Sequence, residues 1–401
     1  MLIEFSFENF GCFRDRACLS FVAAPRDDSL PHNFVEHDTE AGPLRLVRQV
    51  ALFGANASGK STVIQAMASL QQLLAWSPRS GVGAFGVTPF LFDSTAASRP
   101  RSFSTKFLRG GVQYEYDVEC DTDAIVLERL AKDTGRRRKL LFERRLSEMH
   151  FGASFGLKRS DSGFLRRTGK RVPVLAVAAE LEVWHACEVR GFLLETIKPP
   201  VLCGHRRHQG LAAYTAGLIR DDEAIRTRVL KLLRDADFGI SAIEVDDAHG
   251  TAGRPVVEFS HARGGVEAKL PLAMESDGTQ RIFELAGPML KTASTNGVLF
   301  ADELDMSLHP RLVRRLVETF GLPGGQSQLI FTAHDTSLMD LNLLRRDQIW
   351  FTSRGNDGRS ELIAFRDFGR RKDEAIAKAY LEGRYGAVPI VAPLELAGRD
   401  E

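Results

Sequence analysis

Two stretches far apart in the chain hold residue types suited to phosphate chemistry. Gly54-Ala55-Asn56-Ala57-Ser58-Gly59-Lys60-Ser61 matches G-x-x-x-x-G-K-[ST] at every fixed position and runs on into Thr62. Glycines let the backbone wrap a phosphate closely, and a helix starting at Lys60 would offer unpaired N–H groups to the anion. The run Gly54–Thr62 is therefore a candidate cradle for ATP, with the Lys60 ammonium reaching its β- and γ-phosphates and the Ser61 hydroxyl binding Mg²⁺. Such a site needs a further acid for the metal. Val298-Leu299-Phe300-Ala301-Asp302-Glu303 supplies two carboxylates at the end of an apolar run. Asp302 is expected to hold the metal shell and Glu303 to polarise a water aimed at the γ-phosphate. An apolar run ending in Asp-Glu is common alone; its meaning comes from the P-loop.

Two further stretches admit a plain reading beside a functional one. His334 follows the run Leu329–Ala333. It is either a structural histidine or, lying on the same sheet edge as Glu303, a group that contacts the γ-phosphate. Glu275-Ser276-Asp277-Gly278-Thr279 precedes a helix-like run of Ile282, Phe283, Leu285 and Met289. Ser276 or Asp277 could simply cap that helix. Alternatively Ser276, Gly278 and Thr279 place hydroxyl and amide donors where a helix dipole favours an anion. The order of the four motifs along the chain favours the second alternative.

The elements that must position these residues can be read from periodicity. Ile3, Phe5 and Phe7 alternate with polar partners, as in a strand, and residues 24–46 are polar and turn-rich. A short apolar strand, Gln49–Phe53, leads into the P-loop and a helix whose apolar face is Val63, Met67, Leu70 and Leu74. From about Ser102 to Arg144 short alternating runs predict an antiparallel meander. Residues 173–235 are mostly helical in pattern, and three more strands follow between Ile240 and Leu270. The last third alternates: a helix after Gln280, strand Val298–Ala301, a helix after Pro310, strand Gln328–Thr332, a helix around Leu338–Leu344 and strand Gln348–Phe351. That alternation predicts an α/β fold with a mixed, mostly parallel central sheet, an antiparallel β subdomain and a helical insertion.

The ordered set resembles the ABC-type ATPase heads of the SMC, RecF and OLD proteins. Ser276-Asp277-Gly278-Thr279 looks like their signature motif, although the usual Leu-Ser-Gly-Gly-Gln is here Glu-Ser-Asp-Gly-Thr. Asp302-Glu303 looks like Walker B, Asp305-Met306-Ser307-Leu308-His309-Pro310 like the D-loop and His334 like the switch histidine. A closer likeness is to stand-alone bacterial ATPases of the abortive-infection AbiL and RloA type. It is carried by Glu8-Asn9-Phe10, Glu-Ser-Asp-Gly-Thr-Gln-Arg at 275–281, Arg346–Trp350 and Tyr380–Pro389. The resemblance covers residues 1–75 and 265–390 well. It implies a P-loop NTPase head in three parts: 1–172, an N-terminal lobe with P-loop and meander; 173–264, a helical insertion and strands forming a partner or regulatory surface; and 265–401, a C-terminal lobe with the remaining motifs. It also implies that two heads meet head to tail, the signature of each closing over the nucleotide held by the other. No Q-loop glutamine is placed: Gln71 and Gln72 lie on the P-loop helix, too early, and Gln113 in the meander is the remaining candidate.

Composition narrows the function classes. A net charge of +1 gives no global drive toward nucleic acid or membrane. The five cysteines form no Cys-x-x-Cys pair, and no apolar run approaches the ~20 residues needed to span a bilayer, so a cytoplasmic protein is expected. Basic clusters at 136–139 with Arg144 and Arg145, and at Arg166, Arg167, Lys170 and Arg171, are either solvated turns or a phosphate-tracking surface for DNA. Cys203, His205 and His208 lack a distant partner for a zinc site. The expected protein is an ATP-hydrolysing head, dimeric or larger, and the resemblance implies a role in bacterial phage defence in which it controls an effector nuclease encoded nearby. The alternative is an ATP-dependent DNA-binding protein of RecF or SMC type in DNA repair.

Overall fold

The structure, a computed structural model, describes residues 1–39, 42–75, 88–133, 135, 137–202, 205–236, 239–246, 256–321, 324–369 and 376–388. Its centre is a five-stranded sheet in the order Val298–Ala301, Gln328–Thr332, Gln49–Gly54, Ile349–Arg354, Ser360–Ala364. The first four strands are parallel and the last is antiparallel. Val298–Ala301, Gln328–Thr332 and Gln49–Gly54 are buried at every position. Covering on both faces is why they read as continuous apolar runs rather than as alternation.

A seven-stranded antiparallel sheet packs beside this one, in the order Glu148–Phe151, Arg138–Arg145, Ile125–Asp133, Val112–Cys120, Arg101–Arg109, Leu2–Glu8, Ala17–Ser20. Arg101–Phe107 alternates buried with half-buried residues, the pattern of a sheet with one face on the core. Phe5 of this sheet meets Phe300 of the parallel sheet edge to face, with ring centroids 6.2 Å apart. The helix Lys60–Leu74 shares that core, burying Val63, Ile64, Met67, Leu70 and Leu74. Gln71 is buried and donates to the carbonyls of Leu193 and Ile197, so it ties the helix to the insertion. The insertion contributes helices Val174–Glu180, Trp184–Gly191, His205–Asp221 and Glu223–Asp235. The last of these starts where the Asp222 carboxylate accepts from the N–H groups of Ala224 and Ile225. A small sheet, Ile240–Asp246, Val256–Arg263 and Val266–Pro271, packs on the long helix Asp277–Ser294 through Phe259 and Phe283, 5.4 Å apart.

Two expectations need correction. Residues 24–46 are not merely turns: Phe34–Thr39 and Gly42–Val47 pair antiparallel, from Phe34 opposite Val47 to Thr39 opposite Gly42. The helix expected around Leu338–Leu344 is absent. A short 3-10 turn, Thr336–Leu338, is followed by turns in which the Asp340 carboxylate accepts from the Asn342 N–H. Asp and Asn side chains offer the backbone an alternative to helical bonding, and here the alternative prevails. Among the described residues no helix is long and apolar enough to cross a membrane.

Where the antiparallel sheet meets the insertion, the Tyr114 hydroxyl lies 2.9 Å from His185 Nδ1 and the Lys132 ammonium 3.0 Å from Nε2. Burial, and then the Lys132 charge, lowers the His185 pKa from 6.5 to about 4. The folded state therefore favours neutral imidazole. The contribution is complete above pH 6.5 and is lost as pH falls from 6.5 toward 4, where the unfolded chain takes up the proton first. The urea midpoint is expected to drop across that interval, and to drop less in His185→Gln. Parallel profiles for the two proteins would refute the assignment.

Candidate nucleotide site

Strand Gln49–Gly54 ends in the glycine-rich loop, and helix Lys60–Leu74 begins directly after it. Ala57 and Gly59 take φ of 61° and 111°, which wraps the loop tightly. A Cβ on Gly59 would lie 2.8 Å from Cys12 Sγ and from the Phe13 ring, so only glycine fits. No side chain caps the helix start, leaving its first N–H groups for an anion. Lys60 is 6% exposed, and its ammonium donates to the carbonyls of Gly54 (2.8 Å) and Ala55 (3.0 Å). Burial lowers its pKa, opposed by the carboxylates of Asp302, Glu303 and Asp305.

Parallel pairing brings Asp302 and Glu303 to this loop. Ala301 lies opposite Phe331, and Thr332 lies opposite Leu52, so the strand ends are level with the P-loop. Asp302 Oδ1 accepts from the hydroxyls of Ser61 (3.0 Å) and Thr332 (2.8 Å). The same Thr332 hydroxyl accepts from the Glu303 N–H at 2.7 Å. Glu303 takes a φ of 46°, a left-handed conformation uncommon for a residue with a Cβ. The N–H groups of His334 and Asp335 both donate to Asp305 Oδ2, at 2.8 and 2.7 Å. A cavity of about 610 Å³ is lined by Asn56, Ala57 and Gly59–Thr62 on one side of the sequence and by Glu303 and His334 on the other, with Cys12.

Ser276, Gly278 and Thr279 are not part of that cavity. Ser276 caps helix Asp277–Ser294, its Oγ accepting from the Thr279 N–H at 3.1 Å, with the Thr279 hydroxyl 2.8 Å away. Ser276 and Asp277 are exposed. The same helix nevertheless reaches the acids, because buried Arg281 donates to the carbonyls of Asp302 (3.1 Å) and Glu303 (2.9 Å).

A family model described as "AAA domain, putative AbiEii toxin, Type IV TA system" matches residues 50–340, well over half of the chain. The chain belongs to this AAA family. Its matched region spans the P-loop, the insertion, Asp302-Glu303 and His334. No curated protein is a significant match to the chain. Among solved structures, this AAA protein is similar to an SMC head bound to the C-winged helix domain of ScpA, at 14% identity over 90% of this chain and 97% of that one, with a TM-score of 0.47. It is similar also to the SMC head domain from Thermotoga maritima, at 14% identity over 90% and 98%, with a TM-score of 0.41. A third is the Smc head with an extended coiled coil bound to the C-terminal domain of ScpA from Pyrococcus furiosus, at 12% identity over 96% and 99%, with a TM-score of 0.37.

Three residues of the AAA site escape sequence reading. Thr332 bridges the Asp302 carboxylate to the Glu303 backbone, and Cys12 lines the cavity with its Sγ 3.4 Å from the Thr62 hydroxyl. Arg281 is the third: it ends the Glu-Ser-Asp-Gly-Thr-Gln-Arg stretch that carries the family likeness, but that stretch gives it no role. The Glu8-Asn9-Phe10 stretch, which carries part of the family likeness, immediately precedes the loop of Cys12. Gln71 is engaged by the insertion, as described, and Gln113 lies on strand Val112–Cys120 and does not line the cavity. Of the basic clusters, Arg138 pairs with Glu115 and Arg145 with Glu143. Buried Arg144 donates to the carbonyls of Leu146, Val172 and Gly169, and Arg171 to those of Thr122 and Asp123. Arg136 and Cys203 lie outside the described residues, as do the side chains of His205 and His208.

Proposed function

We propose that the protein binds and hydrolyses ATP as a dimer of heads, each nucleotide being held by one copy and covered by the other. The observation that carries this reading is the meeting of Lys60, Ser61 and Glu303 at one cavity, with Asp302 bonded to Ser61 beside it, while Ser276 stands exposed on a helix tied to the same acids. Lys60 exchanges the Gly54 and Ala55 carbonyls for phosphate oxygens. Mg²⁺ suits the Ser61 hydroxyl and Asp302 carboxylate, oxygen donors of the class a hard cation takes; when bound it offsets phosphate charge. Glu303 accepts the proton of a water that attacks the γ-phosphorus, and the bond from that phosphorus to the ADP oxygen breaks. His334 senses the γ-phosphate from the neighbouring strand end. Ser276 and the Gly278 N–H close over the nucleotide of the second copy, while Thr279, buried and donating its N–H to Ser276 Oγ, orients the serine.

The resemblance to abortive-infection ATPases and the toxin–antitoxin wording of the family description together support a role in bacterial phage defence, with a nuclease encoded nearby as the controlled effector. The repair-clamp alternative has less support, since several arginines of both basic clusters are engaged by carboxylates and carbonyls. The test is phosphate release and light scattering of the full chain, alone and with the neighbouring gene product. Mg²⁺-dependent release, a mass that doubles with ATP, and co-purification with a nuclease are expected. Absence of phosphate release above buffer would refute the hydrolytic reading, and ATP-strengthened, salt-sensitive DNA retention without a protein partner would favour the clamp.

A further inference from the structure

Residue 275 is where the signature-like motif departs most from the leucine usual at that place. Glu275 is a carboxylate whose side chain is only 6% exposed, and its Oε1 lies 2.6 Å from His261 Nε2. A carboxylate only accepts, so the imidazole N–H is the donor. His261 sits on Val256–Arg263, the central strand of the small sheet, two residues after the Phe259 that packs on Phe283. The sheet thus grips both the long helix and the segment leading into it.

That segment has few other anchors. Glu275 and Ser276 are extended, with φ, ψ of −73°, 161° and −59°, 151°, between the 3-10 turn Leu272–Met274 and the helix Asp277–Ser294. The Glu275 N–H donates to the Leu272 carbonyl at 3.2 Å, and the Glu275 carbonyl accepts from the Gln280 side chain at 2.8 Å. Among the described residues, the carboxylate–imidazole contact is the side-chain bond that ties this two-residue link to a different element of the fold. Ser276 Oγ accepts from the Thr279 N–H and lies 2.8 Å from the Thr279 hydroxyl, and the exposed Ser276 hydroxyl can turn its proton from that neighbour to an incoming phosphate oxygen.

We propose that His261 is a positioning residue for nucleotide closure: by fixing Glu275 it sets where the exposed Ser276 hydroxyl stands when a second copy presents its ATP. This rests on the head-to-tail reading above. It assigns the small sheet a task, holding the closing serine in register, that the sheet performs without touching nucleotide. A serine displaced by about 1 Å loses roughly 100-fold in rate, the scale seen when a positioned group is moved. Binding of ATP to the chain's own P-loop does not involve this contact.

The test uses the full chain with Mg-ATP, in the wild-type and Glu303→Gln backgrounds. In the hydrolysing background, His261→Ala is expected to lower kcat roughly 100-fold, with nucleotide Kd unchanged when measured at a concentration where the chain is monomeric. In the Glu303→Gln background it is expected to abolish the ATP-trapped dimer. His261→Gln, whose amide can still donate to Glu275, is expected to restore both. A trapped dimer that survives His261→Ala overturns the proposal. So does loss of the monomer's own nucleotide affinity together with the dimer, which would mark a general scaffold role, and so does failure of His261→Gln to restore closure. Glu303→Gln protein that binds nucleotide yet stays monomeric overturns the head-to-tail reading itself, and the two failures are thereby distinguished.

Discussion

Replacing Glu303 by glutamine is expected to leave Mg-ATP binding intact, to lower phosphate release roughly 100- to 10,000-fold, and to accumulate a dimer in saturating Mg-ATP. The magnitude is that of a positioned general base. The substitution is close to isosteric, and the anchors of residue 303 are backbone groups: its N–H donates to the Thr332 hydroxyl and its carbonyl accepts from Arg281. An amide in place of the carboxylate therefore keeps the shape of the site but has no basic oxygen to take the proton of water. Asp302, which faces Ser61 and Thr332, is untouched, so the groups assigned to metal and phosphate remain. If ATP joins two heads, a nucleotide that is bound but not cleaved holds them together, because the closed state is favoured for as long as the γ-phosphate persists. Phosphate release measures the first effect and light scattering the second. Turnover within a factor of ten of wild type would remove Glu303 from the role of base.

The sequence allowed the P-loop, the acids and the central strands to be found because each is a local pattern. Gln49–Gly54, Val298–Ala301 and Gln328–Thr332 are short apolar runs bounded by turn residues, and burial on both faces leaves no other composition for them. The contacts that complete the site are not local. Thr332 reaches Asp302 only because two strands pair in a register that sets Ala301 against Phe331. No pattern in either strand states that register. Arg281 stands in the Glu-Ser-Asp-Gly-Thr-Gln-Arg stretch with no role legible there, and its burial follows from the approach of that helix to the strand end. The hairpin Phe34–Val47 was hidden for the converse reason, since only Leu46 and Val47 are fully buried and its alternation is weak. At Ser276 the sequence left a cap and an anion site as alternatives. The hydroxyl does cap the helix, and its exposure leaves it accessible to a second copy.

Arg281→Ala is expected to lower stability by about 3–5 kcal/mol, the range for stripping one member from a buried charged contact. Arg281 is 2% exposed, and one end of its guanidinium serves two carbonyls while Nη1 lies 3.8 Å from Glu284, itself nearly buried. Alanine leaves a cavity, removes both donors and takes the cation away from Glu284. The loss should appear as a lower urea midpoint with an unchanged slope. A second consequence separates this arginine from a purely structural one. Glu303 holds a left-handed φ of 46°, a conformation that costs of order 1–3 kcal/mol and persists only where neighbours impose it. Two of those neighbours are the Thr332 hydroxyl on its N–H and Arg281 on its carbonyl. Arg281→Lys keeps a charge near Glu284, but its single nitrogen on a shorter side chain cannot both serve the Asp302 and Glu303 carbonyls and lie beside Glu284, as two ends of the guanidinium do. It is therefore expected to recover part of the stability and little of the turnover, measured where both proteins are fully folded. Recovery of the two in step would mean that Arg281 only holds the helix in place, and that the strained backbone at Glu303 needs no help from it.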